Sequence, residues 1–430
     1  MKPQWLKKAP ESAELVLEMK DERRGRRKVA VVIATNGNRK MLASHLSLLG
    51  RQTFRDFDVI IIYGSGSFAE KALPGRILHV REREANGAAG AFHLGERLAL
   101  EQGYETIMLA DDDCLPSSAD LLEKLVSGTR DADIALPSVG YGKNHTAEAS
   151  LILHQYGCVS RKAFAAGLTY LPLFIGGDDA DLMRRMEKKG ASLARVDAIA
   201  THPAIRPLFI AAPFRAYYYT RGTVASLFLS GMWLPAFLAI AAHLGLSISY
   251  AILGRTDSAK ACMDALWDAS GLRLFRSDKK YREDGTAVAD EKPLKAEAAI
   301  PVMDGGFRPV FWAYGKRGPG PAGIAVEALP HLSRLPSCFG RAVLFDGAPG
   351  FAELPLLLAA KSARARWDGD EYVIVRPRGT AAIIAGLAAL MAAAPAIIVA
   401  AAALTVRGVL TKSLLGAKSE GYGLQVAEKT

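Results

Sequence analysis

Three consecutive carboxylates, Asp111, Asp112 and Asp113, stand directly after the apolar run 106–110. Like charges this close cannot all ionise cheaply away from water. A divalent cation removes the conflict. Alternate residues, here Asp111 and Asp113, can aim at one hard ion such as Mn²⁺ or Mg²⁺ shared with phosphate oxygens. Such an ion neutralises a diphosphate leaving group. A solvated acidic loop would carry the same three residues, but the apolar strand before them favours the metal.

Gly176, Gly177, Asp178, Asp179, Ala180 and Asp181 lead into an expected helix at 183–189, ended by Gly190. The glycines let the backbone approach a ligand closely. One of the paired carboxylates could take a proton from an attacking hydroxyl, its neighbour raising its pKa towards neutrality. The pair could equally cap the helix and complement its dipole. Upstream, Asn86, Gly87, Ala88, Ala89, Gly90, Ala91 and Phe92 place small residues at a loop-to-helix junction, where backbone N–H groups can meet a phosphate or nucleoside. Close helix–strand packing would use the same residues. The segment is neither a Walker loop nor a dinucleotide-binding glycine pattern. His202 follows the apolar run 196–200 and becomes a third metal ligand if the chain folds back to the sheet. Arg215, Tyr217, Tyr218, Tyr219 and Arg221 form a cluster suited to a phosphate at a membrane surface.

The elements that must position these groups alternate. Short β-branched runs at 29–34, 58–63, 76–80 and 106–110 read as buried parallel strands. Helices are expected at 40–50, 89–102 and 120–127. Strands alternating with helices specify an α/β fold with a mostly parallel sheet and flanking helices. Ligands of such sheets bind at the carboxyl ends of the strands, where the aspartates stand.

The chain has 430 residues, half of them hydrophobic and 23% charged, so it can bury a sizeable core. A net charge of +10 favours anionic partners. Nucleic acid is disfavoured, because no aromatic stacking surface is interleaved with the basic residues. The four cysteines are scattered, which supports neither a disulfide scaffold nor a zinc site. Two stretches, 222–254 and 379–406, lack any charged residue. Each exceeds the roughly 20 apolar residues that span a bilayer. Residues 1–28 are polar, with a helix expected near 11–19 and a basic run at 23–28 that suits anionic lipid. They contain no apolar core of a secretory signal, so the part before 222 is expected on the cytoplasmic face of a membrane.

Taken together, the motifs resemble the inverting glycosyltransferases of family 2, with the GT-A nucleotide-sugar fold, in their rhamnosyltransferase and galactofuranosyltransferase branch. The opening strand with Thr35, Asn38 and Arg39 is similar to that branch's Thr-x-Asn-Arg turn. The 86–92 loop, the aspartate triplet, Gly176–Asp181, His202 and the 215–221 cluster follow in the branch's order. The resemblance covers about residues 29–222. It implies that Asp111 and Asp113 hold a metal–diphosphate, that His202 completes the metal site, and that Asp179 is the general base. It also implies that Thr35, Asn38, Arg39, Asn86, Gly87, Gly90 and Asp112 flank the nucleotide sugar, and that Gly177, Asp178, Arg215, Tyr218 and Arg221 meet acceptor or phosphate. The implied donor is a UDP- or dTDP-sugar, galactofuranose- or rhamnose-like. Departures are an inserted Gly37, the absence of an aspartate at Tyr63-Gly64-Ser65, Ala89 and Ala91 in place of glycines, and Gly222 where the branch has asparagine.

The expected organisation is a basic arm (1–28), a GT-A domain (29–222), apolar membrane-associated helices (223–255), a region without a functional reading (256–378), a transmembrane helix (379–406) and a tail (407–430). Pro235 and Gly245 could break the first apolar stretch into two in-plane or re-entrant helices; the competing reading is a single long span, which would put 256–378 across the membrane. Arg376, Arg378 and Arg407 flank the second. A membrane-bound transferase implies a lipid-linked glycan acceptor. Two other readings are a polyprenyl-phosphate sugar synthase, which needs little base, and a non-catalytic membrane-bound sugar-nucleotide sensor or scaffold.

Overall fold

A computed structural model describes residues 13–16, 27–36, 39–64, 77–82, 87–141, 148–149, 152–202, 213–252, 256–274, short strands between 311 and 377, and 380–419. Asn38 and Asn86 lie outside the described residues, as does the basic run at 23–26.

The sheet is built from β1 (Ala13–Val16), β2 (Val29–Thr35), β3 (Phe57–Tyr63), β4 (Ile77–Glu82), β5 (Thr106–Asp111), β6 (Leu115–Pro116), β7 (Ile134–Tyr141), β8 (Glu148–Ala149), β9 (Gln155–Ser160) and β10 (Leu193–His202). The strand order is β1-β4-β3-β2-β5-β9-β7-β10-β6, with β8 on β7. β4, β3, β2 and β5 run parallel, as do β7 and β10. β9 lies antiparallel between β5 and β7, and β1 and β6 close the two edges antiparallel. The sheet is therefore mixed.

Strand periodicity explains the layering. In β2, Ala30, Val32 and Ala34 face one core, and Val29, Val31 and Ile33 face the other. The first core is completed by Phe92, Leu94 and Leu98 of α2 (Gly87–Glu101) and by Leu182, Met183 and Met186 of α4 (Asp178–Lys188). The second takes Leu42, Leu46 and Leu49 of α1 (Arg39–Leu49) and Leu121, Leu122 and Leu125 of α3 (Leu121–Asp131). Each such side chain contributes roughly 1.5–3 kcal/mol when removed from water, enough to fix strands buried on both faces.

Three expectations change. Residues 13–16 form a strand, not part of a helix, because the open edge of β4 offers unpaired backbone groups that β1 takes up. The expected boundary at 222 falls inside α5 (Pro213–Leu229). The apolar stretch breaks at neither Pro235 nor Gly245. Gly231 (φ 76°) and Met232 return their amides to Phe228 and Leu227, a Schellman end to α5. α6 (Trp233–Ile252) then carries Pro235 in its first turn, where no amide is needed. α5 and α6 pack with α7 (Thr256–Ser270) and α8 (Thr380–Ser419) around Leu173, Val224, Phe228, Ala236, Ile240, Leu266 and Ala401.

α8 extends well past the expected 379–406, through Arg407. Its window Ala394–Ser413 is long and apolar enough to cross a membrane. Six short strands, β11 (Phe311–Ala313), β12 (Gly318–Pro319), β13 (Ala325–Ala328), β14 (Val343–Phe345), β15 (Ala360–Trp367) and β16 (Asp370–Pro377), make a second mixed sheet in the order β12-β13-β11-β14-β16-β15.

Candidate active site

Asp111 ends β5, and its backbone amide donates to His154 O (2.7 Å). The turn that follows closes with the Cys114 amide on Asp111 O (3.1 Å). β6 then pairs with β10, Leu115 opposite Thr201. That register carries His202, one residue on, back to the triplet. His202 Nε2 lies 3.1 Å from Asp113 Oδ1, and one donor atom from each of Asp111, Asp113 and His202 falls within 4.8 Å of the others. Removal from water and the charge of Asp113 push the Asp111 carboxyl well above its ordinary range. Two mutually repelling carboxylates with an imidazole beside them fit a divalent ion of the Mn²⁺ or Mg²⁺ kind, which takes such donors and cancels that repulsion.

The middle aspartate has a different task. Thr35 Oγ1, at the end of β2, donates to Asp112 Oδ2 (2.6 Å). Burial raises the Asp112 carboxyl to about 6, the Thr35 hydroxyl partly opposing it. The Asp112 backbone carbonyl lies 3.2 Å from His45 Nδ1, and His45 Nε2 meets the Tyr156 hydroxyl. A carbonyl can only accept, so Nδ1 carries the proton and Tyr156 donates to Nε2. Burial lowers His45 to about 4 and keeps it neutral. Sequence reading missed His45, although a histidine between Leu42 and Leu46 on the buried face of α1 was its visible signal.

The Gly-Gly-Asp-Asp segment is not a loop ahead of a helix. Asp178 and Asp179 are the first residues of α4, and Gly177 (φ 75°) precedes them without a side-chain cap. The glycines serve contact with the chain itself. A Cβ at Gly222 would strike the Gly176 carbonyl oxygen, and one at Gly177 would lie 2.6 Å from Gly222 O. The segment thus rests backbone to backbone on α5, which explains glycine at 222. Gly87, at the start of α2 (φ 68°), likewise sits beneath Phe174 O, which accepts the Ala89 amide (3.1 Å). Gly90 is buried inside α2.

Asp178 is almost wholly buried, and Asp179 is half-buried. Asp178 Oδ2 faces His154 Nδ1 at 3.6 Å. Neither that oxygen nor His154 Nε2 has a hydrogen-bond partner among the described residues. The His154 ring stacks on Phe92 (3.6 Å between centroids), and burial drops it to about 3. Burial first, then Asp179, pushes the Asp178 carboxyl up to about 8. At neutral pH the pair is therefore uncharged. Burial also raises Asp179, with the first-turn amides and Arg184 opposing.

Asp178 yields a stability test. A carboxyl whose folded pKa exceeds its unfolded value loses stability as pH climbs from the unfolded value through the folded one. In the metal-free chain Asp178→Asn is expected to gain stability over the natural chain as pH rises from 4 towards 8, reaching a few kcal/mol. Denaturant melts at pH 5 and pH 9 check this, and a gain that does not grow with pH would contradict it.

Helix phase splits the 215–221 cluster. Arg215 and Tyr219, four apart, share the half-exposed side of α5, with Arg215 Nη1 3.4 Å from the Tyr219 hydroxyl. Tyr219 lies within electrostatic reach of Asp111 and Asp178. Tyr218 and Arg221 are buried instead. Arg221 lies over the Tyr217 and Tyr218 rings and donates to Leu173 O (3.0 Å). Both brace α5 from its buried side. Arg39 is exposed at the start of α1.

No family model matches the chain, and no curated protein does. Among solved structures it is similar to the mannosyltransferase PcManGT from Pyrobaculum calidifontis in complex with GDP-Man and Mn²⁺ (16% identity over 62% of this chain and 79% of that one, TM-score 0.39). It is also similar to S. aureus TarS 1–349 in complex with UDP-GlcNAc (10% identity, 59% and 84% covered, TM-score 0.43). Another S. aureus TarS structure is matched over 50% of its chain (11% identity, 59% of this chain, TM-score 0.42).

Proposed function

We propose that the chain is an inverting, metal-dependent glycosyltransferase that moves a galactofuranose- or rhamnose-like sugar from a nucleotide-diphosphate donor to a hydroxyl of a lipid-linked glycan. The observation that carries this is the convergence of Asp111, Asp113 and His202 at the carboxyl end of β5, with Asp178, the residue before Asp179 at the start of α4, in electrostatic reach of Asp111. A bound Mn²⁺ or Mg²⁺ supplies charge neutralisation for a diphosphate at Asp111, Asp113 and His202. Thr35 and His45 hold the triplet in register, so its carboxylates need no reorganisation when a donor arrives. Arg215 and Tyr219 offer a cation and a hydroxyl on the side of α5 that faces the aspartates. Asp179 takes the proton of the acceptor hydroxyl. The hydroxyl oxygen bonds to the anomeric carbon as the bond from that carbon to the diphosphate breaks on the opposite side, so one displacement inverts the centre.

The test is release of nucleoside diphosphate by the purified full chain, with Mn²⁺ or Mg²⁺, against UDP-, GDP- and dTDP-sugars. At least one donor is expected to be consumed, and chelation should stop it. Silence against every donor, or turnover indifferent to chelation, overturns the proposal.

A further inference from the structure

We infer that the outer faces of α6 and α8 form one docking surface for an anionic lipid bilayer, lying in the plane of the membrane. This deepens the transferase reading by saying where the acceptor's lipid is met, but it rests on different residues.

Between residues 394 and 413, α8 is one-sided. Ile397, Ala401 and Gly408 pack inwards, Gly408 against the Phe228 ring. Pro395, Ala396, Ile398, Val399, Ala402, Ala403, Val406 and Leu410 point out and are exposed. Ile398, Val399, Val406 and Leu410 are each more than half exposed. The neighbouring α6 repeats the pattern: Ala236, Ile240 and Leu244 pack inwards, while Leu234, Leu238 and Ala242 point out. The two helices pack on each other through a shared core, so their outward stripes adjoin. A soluble helix keeps its polar residues on the outer side. Here the outer side is apolar on both helices, and no charge interrupts either stripe between 232 and 242 or between 394 and 410, apart from half-buried Arg407.

The border of this patch identifies its occupant. Half-exposed Trp267 carries the Arg407 guanidinium 3.5 Å above its ring, and Trp233 carries Lys412 at 5.2 Å. Lys412 also donates to Leu229 O (2.9 Å). Exposed Arg273 lies within electrostatic reach of Arg407. Tryptophan and basic residues together at the edge of an apolar band are the chemistry of a membrane–water interface. An in-plane helix pair needs just this: an apolar face buried in the acyl boundary and cations level with the headgroups. Near an anionic leaflet each basic residue is worth roughly fivefold in affinity.

The test uses the full chain and vesicles of phosphatidylcholine with or without 30% phosphatidylserine, some carrying brominated acyl chains. Tryptophan emission is expected to be quenched by the brominated lipid, and Trp233→Phe should remove a large part of that quenching. Leu234→Glu with Leu238→Glu should weaken binding to the anionic vesicles at least tenfold. The milder pair Leu234→Gln and Leu238→Gln, with thermal melting, guards against a merely unfolded variant. Quenching unchanged in Trp233→Phe overturns the inference. So does a dimer in vesicle-free buffer that Leu234→Gln and Leu238→Gln dissociate, since a second copy of the chain would then own the face. None of these readouts requires sugar transfer, so failure of the transferase reading leaves them standing, and the reverse holds too.

Discussion

Asparagine in place of Asp179 is expected to lower transfer by about a hundred- to ten-thousandfold, the usual contribution of a positioned general base. Donor binding should hardly change. Asp179 opens α4 and is no part of the Asp111, Asp113 and His202 cluster. The amide keeps the size of the carboxylate and can still accept from the first-turn amides, so α4 should keep its start. The signature is therefore a fall in kcat with donor affinity preserved, measured by turnover and by calorimetric titration of the donor. Near-normal turnover that chelation still abolishes would retire Asp179 as base. It would favour transfer to a lipid phosphate, which arrives already ionised.

The second large effect belongs to Asp111 and Asp113. Replacing both with asparagine should cost at least about a thousandfold in turnover, because several kcal/mol of charge stabilisation leave with the ion. Unlike the Asp179 variant, this one should lose donor affinity and metal affinity as well. Mn²⁺ binding followed by electron spin resonance reads the second directly. The same change should make the metal-free chain more stable. Asp111 is held well above the ordinary carboxylate range by removal from water and by its neighbour, and a neutral amide escapes both costs. Lower activity with higher stability marks a site whose repulsion exists for a ligand. Lower activity with lower stability would instead make the triplet structural.

The cluster of Asp111, Asp113 and His202 was the most legible part of the molecule. An apolar run that ends in carboxylates shows where a parallel strand stops, and strand ends are where ligands bind. The four strands expected at 29–34, 58–63, 76–80 and 106–110 lie within two residues of β2, β3, β4 and β5, since residues buried on both faces leave a continuous apolar run. Pairing was not legible. β9 enters antiparallel beside β5, and β1 joins the open edge, through contacts between residues far apart in sequence. For that reason His154 gave no signal. Its relation to Asp178 exists only once β9 and α4 are folded. Glu96 is similar: it reads as an ordinary helix residue, yet it is wholly buried and accepts from the hydroxyl and amide of Thr169 (2.6 and 2.7 Å). The 215–221 cluster shows a third case. Its residue types were informative, but helix phase, not composition, sends Arg215 and Tyr219 one way and Tyr218 and Arg221 the other.

The crossing of Gly176 over Gly222 bears on how this chain can drift. Any side chain at 222 displaces the Gly176 carbonyl, and with it Gly177 and the two carboxylates that follow. Gly190 has a similar left-handed backbone (φ 89°) but open space around it, so asparagine is tolerable there. In a library randomised at all three positions and selected for folded, active clones, 176 and 222 should return as an inseparable glycine pair. Position 190 should vary freely among the few residues its backbone permits. Heredity at the first two is therefore joint, and a lineage leaving glycine at either one must rebuild the approach to α4 in the same step.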